Sequence, residues 1–231
     1  MDMASNSITD ALQAGLEHHR AGRLPQAEAM YRRVLQIHPR HAGAVHLLGL
    51  IAFQIGKLDV AETYLTEAVK LDAFHAPYLA DLGEIYKAQG KLTEAIDSYR
   101  KAIELNAEMA DFHSNLGTLL HMAGDLTAAV ASLRTALEME PDHAEAHGHL
   151  GVALQDQGQL TEARTELERA VQLSPDNAEL YRRYGVCLET LGDVLGAIAC
   201  YQTSNRLAPG SAEGQLAAAQ ARLADERARG R

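Results

Sequence analysis

Residues 81–106, DLGEIYKAQGKLTEAIDSYRKAIELN, decide the fold. Leu82, Ile85 and Tyr86 fall on one face at helical spacing, with Gly83 beside them. Past Gly90, a second stripe runs through Ala95, Ile96, Tyr99, Ala102 and Ile103, while lysine, glutamate and aspartate cover the opposite face. The pattern predicts two amphipathic helices joined by a tight turn at Gly90. Neither helix can bury its stripe alone, and one hairpin is too small for a core.

The chain supplies the missing partner by repetition. Gly83 has counterparts at Gly15, Gly49, Gly117, Gly151 and Gly185, each 34 residues from the next. Gly90 matches Gly22, Gly56, Gly124, Gly158 and Gly192, and Ala95 matches Ala27, Ala61, Ala129, Ala163 and Ala197. The two glycine columns take twelve of the 18 glycines, so glycine here marks repeat architecture rather than loops. Mid-helix glycine costs about 1 kcal/mol against alanine. Its recurrence at the Gly83 column therefore predicts a helix–helix approach too close for a side chain. The Gly90 column predicts left-handed helix ends. The residue two before each alanine, Pro25, Asp59, Thr93, Thr127 or Thr161, suits a helix start, and Leu195 breaks that rule.

A 34-residue period with small residues in fixed columns resembles the tetratricopeptide repeat (TPR) family. Leu82-Gly83, Tyr86, Ala95, Tyr99 and Ala102 fill its signature columns. The resemblance implies an all-α, right-handed superhelical solenoid of six antiparallel helix pairs. Repeats are expected at 8–41, 42–75, 76–109, 110–143, 144–177 and 178–211. Residues 1–7 are expected to be a disordered start and helix cap, with Ser7 and Asp10 opening the first helix. Residues 212–231 read as a capping helix, through Leu216, Ala219 and Leu223, with a disordered charged end, ERARGR.

Composition narrows the class. Hydrophobic content of 47% with 5% aromatic suits alanine- and leucine-rich helix packing. A net charge of -10 argues against tracking nucleic-acid phosphates, which needs a basic stripe. No apolar run approaches the ~18 residues of a membrane span. The start, MDMASNSITD, lacks a basic region followed by an apolar core, so no secretory signal is expected. Cys187 and Cys200 lack metal or redox spacing and fit a reducing compartment, hence a cytoplasmic location. Cys187 shares a column with Ile51, Ile85 and Leu119 and is expected to be buried; Cys200 shares one with Tyr64, Ser98 and Ser132 and is expected to be more exposed. A disulfide between them is left open.

The 11 histidines invite a metal reading, but the repeat register disperses them. His113 and His147 hold the column where the family often has tryptophan, which implies packing between helices, and His41, His75 and His143 join successive repeats. No nucleophile elbow, P-loop, dinucleotide fingerprint or HExxH motif occurs. The expectation is a non-enzyme without cofactor or metal.

In tetratricopeptide arrays the first helix of each repeat lines the concave face, where partner peptides dock. By register, that resemblance places Leu12, Leu16, His46, Leu50 and Phe53 on the inner face of repeats one and two. Repeats three and four contribute Glu84, Lys87, Asp111 and His121, beside Thr118. Repeats five and six contribute Glu145, Val152, Gln155, Asp156, Glu179, Arg182, Val186 and Glu189. The face thus runs from apolar to acidic, implying a partner with an apolar anchor at one end and basic residues at the other. The residues that clamp a terminal carboxylate in chaperone-tail repeats are absent: Leu12 and Leu16, or His46 and Leu50, replace the first lysine and asparagine. The segments Asn115-Leu116-Gly117 and His46-Leu47-Leu48-Gly49 are similar to the arms of O-linked N-acetylglucosamine transferases. Of the asparagine ladder in those arms only Asn115 is kept; Gln13, Leu47, Asp81, His149 and Arg183 stand at the other rungs. The functional expectation is a protein–protein interaction scaffold, monomeric or weakly dimeric. The alternatives are a substrate-recruiting arm of, or partner to, a glycosyl- or sulfotransferase, and a self-assembling structural scaffold.

Overall fold

The computed structural model describes residues 3–229, with side chains from Ser7 onward. Among the described residues there are thirteen α-helices and no strand. They form two compact units, Met1–Ala107 and Glu108–Arg231. In the first, α1 (Met3–Arg20) pairs with α2 (Leu24–Ile37), α3 (Ala42–Gln54) with α4 (Leu58–Leu71), and α5 (Ala76–Ala88) with α6 (Leu92–Leu105). In the second, α7 (Ala110–Met122) pairs with α8 (Leu126–Met139), α9 (Ala144–Asp156) with α10 (Leu160–Leu173), and α11 (Ala178–Thr190) with α12 (Val194–Leu207). The last helix, α13 (Glu213–Ala228), packs on α12. Within each unit the second helix of one pair also packs on the first helix of the next.

Two of the repeated columns explain the pairing. Ala27, Ala61, Ala95, Ala129, Ala163 and Ala197 are all fully buried, which lets each second helix lie close on its first. A Cβ built on Gly83 would meet the Tyr99 ring at 2.8 Å, and one on Gly117 would meet Leu133 Cγ at 2.6 Å and the Ala129 carbonyl at 3.1 Å. Atoms do not pack that closely, so the position excludes any side chain. The turn after each first helix needs glycine for a different reason: Gly90 has φ 75°, in the left-handed region.

Several local expectations are corrected. α1 starts at Met3 rather than at Ser7; nothing between Met3 and Gly15 is a proline or glycine, so the helix has no breaker there. Residues 1 and 2 of the expected disordered start lie outside the described residues. The charged end is helical through Ala228, supported by an Arg222–Glu226 pair at 3.1 Å one turn apart, and residues 230 and 231 lie outside the described residues. Thr93, Thr127 and Thr161 are second residues of their helices, not caps, because each second helix starts one residue earlier. Among the second helices the side-chain caps are Asp125, which accepts from the Ala128 amide at 3.1 Å, and Asp193, which accepts from the Gly196 amide at 2.9 Å. Asp193 thus supplies what Leu195 does not.

The side chains of His41, His46, His121, His143 and His147 bond the backbone or a carboxylate. His41 Nδ1 accepts from the Ala44 amide at 3.1 Å and His143 Nδ1 from the Ala146 amide at 3.3 Å, so both cap first helices. His147 places Nδ1 at 2.6 Å from Glu166 and Nε2 at 2.9 Å from the Pro141 carbonyl. With acceptors at both nitrogens the ring favours its doubly protonated form, and the Glu166 bond is the main reason its pKa is raised.

Cys200 is buried, contrary to the exposure its column predicts, and both cysteines are free thiols. Ser98, in the same column, is also buried, so the polar residues there do not mark an exposed position. In the last repeat Ala219 of α13 clusters with Val194, Ala197, Cys200 and Tyr201, and Leu216 and Leu223 pack against that cluster. Burial pushes the Cys200 thiol up to about 11.

Two measurements check this packing. Gly117→Leu is expected to destabilise the chain by roughly 1–3 kcal/mol through overpacking, whereas Glu94→Gln on an exposed face stays within about 0.5 kcal/mol. Equal denaturation midpoints for the two variants contradict the packing described. A chain ending at Ser211 is expected to expose Cys200 to a thiol reagent at pH ~8, with Cys200→Ser removing the new reactivity; labelling as slow as in the full chain overturns the covering role of α13.

Candidate functional site

The glycine column shapes the inner face as well as the pairing. Because Gly15, Gly83 and Gly185 leave a gap in the first helix, the tyrosine opposite each one passes through it. Its hydroxyl emerges among inner-face side chains: Tyr31 bonds His19 at 3.3 Å, Tyr99 donates to Glu84 at 2.6 Å and Tyr201 donates to Glu189 at 2.9 Å. Burial, then the Glu189 bond, raises the Tyr201 pKa, keeping that hydroxyl a donor. In the other three repeats the partner is Leu65, Leu133 or Leu167, and the same gap opens on an apolar side chain.

In the first compact unit the inner residues are largely engaged with one another. His19 Nε2 lies 3.0 Å from Gln54 Oε1, and His46 Nε2 lies 2.6 Å from Asp81 Oδ2 while its ring stacks on Tyr78. Lys87 pairs with Glu84. Leu12, Leu16, Leu50 and Phe53 are half-buried. Leu12 packs against the cluster of Ala27 and Tyr31, and Phe53 against that of Ala61, Leu65 and Ile85, so part of the expected apolar anchor belongs to the core.

The second compact unit holds a cavity of about 450 Å³ on the inner side of α7, α9 and α11. It brings together His121, Gln155, Asp156, Glu179 and Arg182 from the expected set, with Thr118, Val152 and Val186. Asp111, Glu145 and Glu189 do not line it. Asp111 instead holds His143 at 3.0 Å, Glu189 holds Tyr201, and Glu145 is exposed in the first turn of α9. Sequence reasoning omitted four lining residues: Met122, Leu133, His149 and Arg183. Leu133 belongs to a second helix and reaches the cavity only through the Gly117 gap. His149 and Arg183 were legible as rungs of the asparagine-ladder column, and here those two rungs bond each other at 3.1 Å.

The acids that line this cavity are already hydrogen-bonded in place. Asp156 Oδ2 accepts from His121 Nε2 at 2.6 Å. Glu179 Oε1 accepts from Arg182 Nη2 at 2.6 Å and Arg183 Nε at 2.9 Å, while Oε2 accepts from Arg182 Nε at 2.7 Å. The Arg182 hydrogen bonds lead, with Arg183 adding to them, in holding Glu179 at about 2 against an ordinary 4.5. Val152, Val186, Leu133 and Met122 supply apolar lining. Among the described residues no three histidine, cysteine, aspartate or glutamate side chains converge as a metal ion requires, and no helix is long and apolar enough to cross a membrane.

Comparison with known proteins bears on the fold. A family model described as "TPR repeat" matches residues 83–124, and one described as "Tetratricopeptide repeat" matches residues 12–76, 123–178 and 150–212. Among solved structures, pilF of Pseudomonas aeruginosa superposes with a TM-score of 0.82 at 21% identity, covering 95% of this chain and 100% of that one. YrrB, described as a TPR protein with an unusual peptide-binding site, gives a TM-score of 0.61 at 21% identity over 78% of this chain and 93% of its own. The anaphase-promoting complex hetero-tetramer Cut9-Hcn1 gives 0.81 at 18% identity over 92% of this chain and 42% of that one. No curated protein sequence matches the chain. At these identities the likenesses establish the fold.

The charge cluster has a direct check. A carboxyl held at about 2 contributes stability above the ordinary 4.5 and loses it as pH falls through about 2. A carbon-13 NMR titration is therefore expected to give Glu179 a midpoint near 2, moving toward 4.5 in Arg182→Gln. A wild-type midpoint near 4.5 means that the cluster does not form.

Proposed function

The chain belongs to the tetratricopeptide repeat family, and on that premise we propose that it is a non-catalytic scaffold that binds a partner peptide on the inner face of its first helices. The observation that carries this reading is the cavity of the second compact unit. Three successive first helices, α7, α9 and α11, contribute to one recess lined by four apolar and eight polar or charged side chains. Its volume of about 450 Å³ admits a few side chains of a peptide rather than a folded domain. Such recesses commonly span ~300–1,000 Å³, with a mainly apolar lining and a few placed polar groups. An aliphatic side chain buried against Val152 and Val186 contributes roughly 1.5–3 kcal/mol. The charged lining fixes register more than it adds affinity.

The family setting supports the same reading, since tetratricopeptide repeats generally mediate protein–protein contacts and the structural relative YrrB is described by its peptide-binding site. The chain also lacks motifs of nucleophilic, nucleotide-dependent or metal-assisted catalysis.

Selection of a random peptide library on the full chain, followed by fluorescence anisotropy with one enriched peptide, tests the proposal. Val152→Lys places a charge in the cavity lining and is expected to weaken binding about tenfold or more, equivalent to ~1.4 kcal/mol. Phe53→Ala, in the other compact unit, is expected to leave that affinity unchanged. Failure to enrich any peptide, or indifference of binding to Val152→Lys, refutes the cavity as the binding site.

A further inference from the structure

We infer that the partner docked in this cavity presents a carboxylate, an aspartate or glutamate next to an aliphatic residue, to the paired guanidinium groups of Arg182 and Arg183. The inference rests on the peptide-binding reading and reverses the basic partner that the acidic residues of the sequence imply. Its basis is a count of donors against acceptors. Both oxygens of Glu179 are already taken by three arginine N–H groups at 2.6–2.9 Å. The two arginines carry five N–H donors each. Arg182 uses two on Glu179; Arg183 uses one on Glu179 and one on His149. The cluster therefore keeps six N–H donors against about one open lone-pair site on Glu179, so its spare bonding capacity lies with the cations.

Position and burial favour the same sign. The Arg182 and Arg183 side chains are 31% and 23% exposed, against 45% for Glu179, so the cations are the more desolvated members. Desolvated guanidinium groups gain most from a planar two-oxygen acceptor, which they bind through parallel N–H bonds. Two arginines beside one glutamate also leave a net positive charge at this end of the cavity. Asp156 does not cancel it. It lies seven residues past His149 on α9, roughly 10 Å along the axis, and His121 holds it. Between the two ends lie Val152 and Val186, which fit an aliphatic neighbour of the docking acid.

A basic partner meets the opposite situation. A lysine or arginine entering here has to share Glu179 with two arginines that already bond it and stand beside both cations.

The two readings predict opposite effects for one substitution. Glu179→Gln removes the internal competitor for the arginines, so an acidic peptide is expected to bind several-fold more tightly, whereas a basic peptide would bind more weakly. The peptides enriched on the full chain are expected to be rich in Asp or Glu beside Leu, Ile or Val. Replacing that acid by its amide in the synthetic peptide, which leaves the protein untouched, is expected to weaken binding about tenfold. The double variant Arg182→Gln, Arg183→Gln is expected to lose a similar factor, with its melting curve recorded to verify folding. Enrichment of Lys or Arg, weaker binding to Glu179→Gln, or indifference to the acid-to-amide change overturns the inference. Peptides that respond to Val152→Lys but not to these changes refute the carboxylate alone; the absence of any bound peptide refutes the scaffold reading with it.

Discussion

The contact on which the rest depends is the one where a second helix presses a tyrosine or leucine against a first helix that has no side chain to yield. At Gly185 a Cβ would stand 2.5 Å from the Tyr201 ring, and at Gly151 it would stand 2.5 Å from Leu167 Cγ. Tyr31, Leu65, Tyr99, Leu133, Leu167 and Tyr201 are each at most 1% exposed, so this single column fills the space inside every helix pair. Mid-helix glycine is unfavourable by about 1 kcal/mol on propensity alone. Burial of a whole tyrosine or leucine side chain, at roughly 1.5–3 kcal/mol, exceeds that loss and explains why the glycine recurs.

The same contact carries the core into the functional surface. Where the residue is tyrosine, its hydroxyl reaches the inner face and holds His19, Glu84 or Glu189 in place. Where it is Leu133, the gap ends on carbon and becomes cavity lining. Packing and recognition therefore meet at one position, where a tyrosine adds a hydroxyl anchor to the inner face and Leu133 adds carbon to the cavity lining.

The periodicity made the helices, the turns and the close approach at glycine legible, because each follows from spacing within one repeat. Contacts between repeats were harder to read. Cys200 reads as exposed because its column is polar or aromatic elsewhere, yet Ser98 in that column is buried too, and α13 adds apolar cover in the last repeat. The histidines read as packing residues or connectors, whereas His41 and His143 cap helices through a ring nitrogen that propensity rules do not count. For the site, the inner-face register found His121, Asp156, Glu179 and Arg182 but passed over Leu133, which lies on a second helix. It also took the carboxylates as available charge, since a linear sequence gives no sign of which acids are already held.

Part of that information lies in the register once the geometry is known. Between neighbouring first helices of one compact unit, a side chain meets the residue 35 positions later: His19 meets Gln54, His46 meets Asp81 and His121 meets Asp156. A repeat of 34 plus one residue of stagger produces this pairing, while His149 and Arg183 meet at 34 without it. Applied to the inner face, the rule places a histidine in front of two of the acids that contribute to the formal charge of -10 and engages one oxygen of each. Glu179 is engaged differently, by arginines three and four residues along its own helix. What the inner face of the second unit offers a partner is thus set less by how many acids it carries than by which charged group is left with bonding capacity, and that group is the arginine pair.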